Sequence, residues 1–166
     1  MSSNIEINNQ TGLRVFSYDN NNIYPLLPLL SEEFPNWTVV KIKNYIDLVI
    51  TKKNDVAGMI VAQNEALYFV GLLIYTFQSI SSKYINNNTK KEFVTGLIVE
   101  NLIASSPILQ QQVFFLVVEK AIAMAKKNKC NFVELPKFDD NYKLIKKKYI
   151  NQIHKINDFR TLISLQ

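Results

Sequence analysis

Few residues in this sequence could carry nucleophilic or metal chemistry. Cys130 is the only cysteine and His154 the only histidine, so a four-ligand zinc site is excluded. A lone cysteine is typically buried and unreactive. His154 has no serine or cysteine partner at a recognisable spacing, which favours a surface or strand position. Carboxylates, tyrosines and amides are the groups that remain for chemistry.

The basic side chains are numerous but almost all of one kind. Of the 19 basic residues only Arg14 and Arg160 are arginines, and arginine is the usual bidentate reader of phosphates and base edges. The net charge of +5 therefore argues only weakly for a nucleic-acid partner. A lysine run could meet a phosphate, although a solvated helix face is the favoured interpretation; it consists of Lys143, Lys146, Lys147 and Lys148.

Length and composition predict a single globular domain over residues 1–166, with a polar lead-in at 1–12 and a long loop at 79–91. The chain is 48% hydrophobic and 20% charged, which excludes disordered and collagen-like classes. One cysteine is typical of a reducing, cytoplasmic compartment. The apolar runs Ala66–Phe77 and Val113–Ala125 are shorter than the ~18 residues of a spanning helix, so no membrane partner is expected.

Periodicity and turn residues predict the elements that must position these groups. Helices are expected at Ile23–Phe34, ended by Pro35, from a cap at Asn36 or Thr38 to about Lys53, at Gln110–Lys127 and, weakly, at Asn141–Ile150. The strands expected from β-rich runs are Leu13–Tyr18, Gly58–Ala62, Ala66–Phe77, Phe93–Ser105, Asn131–Leu135 and Phe159–Leu165.

This order predicts an α+β, or mixed α/β, domain. Three strands follow one another by hairpins, with a short Gln63–Glu65 link in the first, and one β-α-β unit follows them. The sheet is therefore expected to be central, twisted and largely antiparallel, with one β-α-β crossover and helices on both faces.

The hydrophobic pattern resembles the GNAT acetyltransferase superfamily over roughly Leu13–Leu165. Residues 60–71 are similar to the family's second-to-third strand hairpin, and Glu100–Ala104 matches a common fourth strand, "E-d-L-y-V". In the same ungapped register, Val117–Ala121 falls on the family's "L-L-e-x-A" and residues 129–135 on its "g-c-x-x-i-x-L". Patterns of this kind specify fold better than chemistry.

The resemblance implies a site as well as a fold. It implies acetyl-CoA as the substrate, an unidentified amine as acceptor, a backbone N–H that polarises the thioester and two strands that splay to admit the pantetheine arm. Glu100 would act as general base and Tyr149 as the acid for the CoA thiolate. The residues implied for cofactor binding are Leu102, Ile103, Ala104, Gln110, Gln111, Gln112, Val113 and Phe114.

One departure from the family pattern leaves two hypotheses open. The family cradles the pyrophosphate with an Arg/Gln-x-x-Gly-x-Gly/Ala loop, but Gln112 and Phe114 occupy the glycine positions here. The chain is then either an N-acyltransferase with a divergent loop or a non-catalytic GNAT-like module with an occluded or reused cleft. The sequence fixes neither the acceptor nor the oligomeric state, for which a homodimer is one option.

Overall fold

The computed structural model describes residues 6–8, 11–20, 22–51, 56–81, 93–105, 109–136 and 139–165. Its strands are β1 (Glu6–Asn8), β2 (Leu13–Ser17), β3 (Ala57–Gln63), β4 (Phe69–Ser81), β5 (Phe93–Ala104), β6 (Phe132–Pro136), β7 (Ile153–Lys155) and β8 (Arg160–Ser164). Its helices are α1 (Leu27–Glu33), α2 (Val39–Thr51), α3 (Gln110–Lys127) and α4 (Lys143–Lys148). Single 3-10 turns, Tyr24–Leu26 and Asp140–Tyr142, precede α1 and α4.

All described strands belong to one sheet of eight, in the order β1-β2-β3-β4-β5-β6-β8-β7. Neighbouring strands are antiparallel apart from β5 and β6, which run parallel and are connected through α3. This arrangement confirms the predicted mixed fold with its largely antiparallel sheet and single β-α-β unit. No helix in the described parts of the chain is long and apolar enough to cross a membrane.

The sheet is buried on both faces by different helices. One core contains the inner faces of α3 and α4, with residues such as Val117, Ala121 and Ile145 fully buried. The other core contains α1 and α2, with Leu30 and Ile46 fully buried. Helices on both faces of the sheet were predicted, and their burial follows from the apolar stripe that each helix presents.

Several predicted boundaries are confirmed and others are corrected. Helix α3 has the predicted bounds, and Thr38 rather than Asn36 caps α2, since its Oγ1 accepts from the N–H of Lys41 at 3.2 Å. Residues 66–68 are not strand as predicted but lie before β4, in a turn where Leu67 takes a positive φ of 67°. At its other end β4 continues through Ser79–Ser81, which were predicted as loop.

Short elements account for the remaining corrections. Strands β1 and β7 have three residues each, too few to show a period, and were not predicted; β1 lies within the expected lead-in. The helix expected from Ile23 begins as a 3-10 turn, and the one expected at Asn141–Ile150 shortens to α4 after a 3-10 turn. Lys52–Asp55, read as a polar break, and most of the 79–91 loop lie outside the described residues.

Gly71 fixes how closely the first turn of α3 approaches the sheet. A Cβ at this position would lie 2.3 Å from Cγ1 of Val113, which is fully buried, and 3.2 Å from Cβ of Ala62. The absent side chain therefore lets α3 begin directly against β4.

We expect Gly71→Ala to lower the free energy of unfolding by about 1–3 kcal/mol, because overpacking shifts α3 away from the strand. Chemical denaturation measures the loss. Val113→Ala should cost stability alone but recover part of the loss when combined with Gly71→Ala, since the two residues share one space. Strictly additive effects would contradict this packing.

Candidate active site

The site begins where β5 and β6 separate. Their parallel pairing covers Gly96–Ile98 against Phe132–Glu134, while β5 continues to Ala104 and β6 ends at Pro136. Proline has no N–H to donate to a neighbouring strand. The two strands therefore form a fork, which is the splay that the resemblance implied.

Arg160 on β8 stands at this fork. Its Nη1 donates to the carbonyl of Val99 at 3.4 Å, and its Nε pairs with the Glu134 carboxylate. Both side chains are largely buried, with 27% and 16% exposed. The guanidinium thus satisfies the β5 carbonyl that follows the last ladder pair, because β6 no longer reaches it.

Beyond the fork, β5 presents backbone donors on its open edge. The N–H of Ser105 donates to the carbonyl of Val70 on the β4 side at 3.1 Å. Hydrogen-bonded and non-bonded pairs alternate in an antiparallel ladder, so Ile103 also bonds towards β4. The N–H groups of Leu102 and Ala104 consequently point to the edge that β6 has left.

A β-bulge in β5 positions Glu100 at the same place. The register with β4 shifts so that Ile74 pairs with Asn101 and Tyr75 with Val99, which leaves Glu100 as the extra residue. Its exposed carboxylate accepts from Oγ1 of Thr76 at 3.0 Å. Bulges re-aim side chains in this way, and here the bulge turns Glu100 towards the fork.

A cavity of about 290 Å³ occupies the fork. Its lining comes from both faces of the sheet: Glu33 belongs to α1, whereas Gln110 and Phe114 belong to α3. The cavity therefore passes between β5 and β6. The complete lining is Glu33, Glu100, Asn101, Leu102, Gln110, Phe114, Pro136, Asp139, Asn141 and Tyr142.

The N-terminus of α3 lies beside this cavity. The first intrahelical bond described runs from the N–H of Val113 to Leu109 at 2.8 Å, so the N–H groups of Gln110, Gln111 and Gln112 precede the ladder. Leu109 provides no side-chain cap, and the first turn contains no acidic residue. Such a terminus favours an anion.

The residues at the lost glycine positions have separate surroundings. Phe114 is 6% exposed and packs its ring 5.4 Å from that of Tyr142 while lining the cavity. The Oε1 atom of Gln112 is buried without a hydrogen-bond partner in the described structure. A buried amide oxygen without a partner can accept a hydrogen bond from a ligand.

Two tyrosines are candidates for the general acid, and only one of them lines the cavity. Tyr142 is 3% exposed and its hydroxyl donates to the Pro136 carbonyl at 3.1 Å. Tyr149, the residue expected from the sequence, donates instead to Glu119 on α3 and is absent from the cavity lining. Burial raises the pKa of both phenols, and Glu119 raises the pKa of Tyr149 further.

The structure therefore brings Glu100, Leu102, Gln110 and Phe114 together around one cavity and leaves Tyr149 outside it. Ile103 faces the opposite core, with 5% exposed. Sequence reasoning missed Tyr142 and Arg160, together with the wall residues Glu33 and Asp139. No local pattern could have indicated them, because β5–β6 separation brings them together from distant segments.

The remaining candidates from the sequence lie elsewhere. Cys130 is 7% exposed in the α3 core, and burial raises the pKa of its thiol. His154 is exposed on β7. Lys148 pairs with Glu119, while Lys143, Lys146 and Lys147 are exposed on α4. Within the described residues, no three acidic, histidine or cysteine side chains group as metal ligands do.

Comparison with known proteins identifies the fold. The sequence matches no family model and no curated protein. The structure resembles a GNAT-family acetyltransferase from Staphylococcus aureus Mu50, with TM-score 0.58 at 12% identity, over 93% of this chain and 99% of that one. It also resembles a Trypanosoma brucei acetyltransferase, with TM-score 0.60 at 14% identity, over 86% of this chain and 94% of that one.

A third similar structure is a NatC complex bound to Gag peptide and CoA, with TM-score 0.59 at 11% identity. The similarity covers 93% of this chain and 99% of the matched chain. The protein has the fold of the GNAT acetyltransferases, as the sequence resemblance implied.

We expect Arg160→Met to destabilise the fold by about 1.5–3 kcal/mol, because Glu134 loses its charged hydrogen-bond donor in a largely buried position. Lys155→Met serves as the matched control, since it removes a lysine whose pair with Asp158 is highly exposed and contributes little. Thermal or urea unfolding compares the two. Equal losses would contradict the role of Arg160 at the fork.

Proposed function

We propose that this protein is an N-acyltransferase that moves an acetyl group from acetyl-CoA to an amine by direct attack. The observation that carries the proposal is the fork cavity, which Leu102 lines from the edge of β5 that β6 has left. The GNAT fold supports the same conclusion, as does CoA in the similar NatC complex.

The residues at the start of α3 fit the anionic end of the substrate. Backbone N–H groups of Gln110–Gln112 precede the helical ladder, and the positive end of the dipole of an 18-residue helix adds to them. Glycine is not required for this contact, because helical residues keep their N–H groups available at negative φ.

The cavity geometry also bears on the non-catalytic alternative. Phe114 lines the cavity without filling it, and about 290 Å³ remains between the strands. The bulky residue at the glycine position therefore deepens the α3 core instead of closing the cleft, which favours the acyltransferase.

The residues around the fork have different roles in the proposed acyl transfer. Bound acetyl-CoA would supply an activated thioester carbonyl. The N–H groups of Leu102 and Ala104 would donate to its oxygen and to the pantetheine amide, and Glu100 would take the proton that the attacking amine loses. The new N–C bond replaces the C–S bond, and the released thiolate requires a proton.

We assign the donation of that proton to Tyr142. Its phenol reaches the cavity wall, and burial keeps it protonated because it raises the pKa above the ordinary value of 10.0. Tyr149 remains the acid that the family motif indicates, although its hydroxyl donates to Glu119.

The cofactor site can be tested by adding a negative charge to the first turn of α3. Gln111→Glu should weaken CoA binding about fivefold or more, because two negative charges a few ångströms apart repel by at least ~1 kcal/mol even in water. The same charge should leave stability unchanged or raise it slightly, since acids favour helix N-termini.

Calorimetric titration of CoA and thermal unfolding give the two readouts. Gln111→Met is the matched control, with similar size and no charge. CoA binding that is equal in all three proteins would contradict a pyrophosphate site at α3, and absence of CoA binding in the unmodified protein would overturn the proposed function.

The acid can be tested with paired variants. Tyr142→Phe should lower kcat on the order of 100-fold, the scale of one general acid, with a smaller change in KM. Tyr149→Phe removes the same hydroxyl outside the cavity and tests the motif's candidate. Thiol release from acetyl-CoA measures both, and a loss confined to Tyr149→Phe would return the role to that residue.

A further inference from the structure

The fork cavity is acidic in a basic protein. Glu33, Glu100 and Asp139 line it, and the described lining contains no lysine or arginine, although the chain carries a net charge of +5. The lysines of α4 and the C-terminal turn of α3 lie outside this lining. The local charge is therefore opposite in sign to that of the whole molecule.

Among the described residues, none of these three carboxylates forms an ion pair. The ion pairs described in the structure use Glu119, Glu134 and Asp158. Glu100 accepts from Thr76 and Asp139 from the N–H of Asn141 at 2.9 Å, and both donors are neutral. A ligand in the cavity consequently meets three carboxylates that no described lysine or arginine pairs with.

Two of the carboxylates influence the same tyrosine electrostatically. Tyr45 of α2 donates its hydroxyl to Oδ1 of Asn101, a lining residue, at 2.8 Å. Burial raises the pKa of Tyr45, and the charges of Glu100 and Glu33 raise it further. Glu33 ends α1, and Glu100 precedes Asn101, to which Tyr45 of α2 donates, so both carboxylates lie at the α1/α2 end of the cavity.

An aromatic cluster lies near the α1/α2 end of the cavity. Phe34 and Trp37 stack with ring centroids 4.4 Å apart, and Tyr45 meets both edge-on with centroids at 5.7 Å. None of these three rings is in the described lining of the cavity, and the face of Trp37 is covered by Lys41, whose Nζ lies 4.4 Å from the ring centroid. This half of the cavity is left for the acceptor, because the N-terminus of α3 lies at the other half.

We infer that the acceptor is a small diamine or polyamine, an amine that carries at least one further positively charged nitrogen. The inference rests on the proposed function. One nitrogen, unprotonated, attacks the acetyl carbon and loses its proton to Glu100, while the second stays an ammonium held by the carboxylates. A cavity of about 290 Å³ is at the small end for ligands, and three carboxylates disfavour a phosphate-bearing acceptor.

A matched pair of acceptors tests the second charge. 1,4-Diaminobutane and n-butylamine have the same chain length and differ by one amine. With acetyl-CoA, we expect kcat/KM to be about 10- to 100-fold higher for the diamine, the range for a hydrogen bond between charged groups. The preference should shrink as salt is added, since exposed carboxylates are screened.

Variants of α1 test whether the preference for the diamine arises from the carboxylates of the cavity. Glu33→Gln should reduce the ratio of diamine to monoamine kcat/KM by about tenfold, because it removes one carboxylate from the lining. Glu32→Gln makes the same change at the preceding exposed residue, which is outside the lining, and should leave the ratio unchanged.

The outcomes separate this inference from the proposed function. Equal kcat/KM for the two amines, or faster acetylation of 4-aminobutanoate, would overturn the diamine inference while acyl transfer stands. If no amine is acetylated, calorimetry decides: tighter binding of the diamine, lost in Glu33→Gln, supports a diamine site without acyl transfer. Equal or absent binding of both amines would overturn the inference.

Discussion

The architecture depends on a parallel ladder that is only three residues long. At one end the fully buried Phe132 ring lies where a side chain of Gly96 would be, since an ideal Cβ there would fall 2.0 Å from Cζ. This contact holds β5 and β6 together at close range. At the other end the ladder stops at the pair of Ile98 and Glu134, and Arg160 bonds the carbonyl of Val99, the next residue of β5. The two strands are tightly packed at Gly96 and separate a few residues later, so the sheet opens there while its core stays packed.

The helices convert that opening into a polar site. Because Gly71 admits Val113, α3 starts against the sheet and its first N–H groups lie beside the gap. The bulge at Glu100 adds one residue to β5 and places a carboxylate on the face covered by α1 and α2. Donors and acceptors thus approach the same space from opposite faces, while the buried residues behind them remain apolar.

Local patterns in the sequence were enough to predict most elements but not the site. The bounds of α3 follow from apolar residues at helical spacing, and β5 and β6 follow from short runs rich in apolar strand formers. The 7-residue offset between Tyr142 and Tyr149 could not be resolved locally, because Glu119, which accepts from Tyr149, is 30 residues away in the chain. Arg160 likewise bonds Val99 across 61 residues. Strand separation is a property of long-range pairing, and β1 and β7 are too short for any period.

The split lining of the cavity has a consequence for how such a protein changes over time. Glu33 belongs to the segment of α1 and α2, whereas Gln110 and Phe114 belong to α3, on the other side of the sheet. Substitutions in the first segment can remodel one half of the cavity without touching the packing of the other. Selection could therefore exchange one ligand for another through the first third of the chain alone, with the α3 side inherited intact.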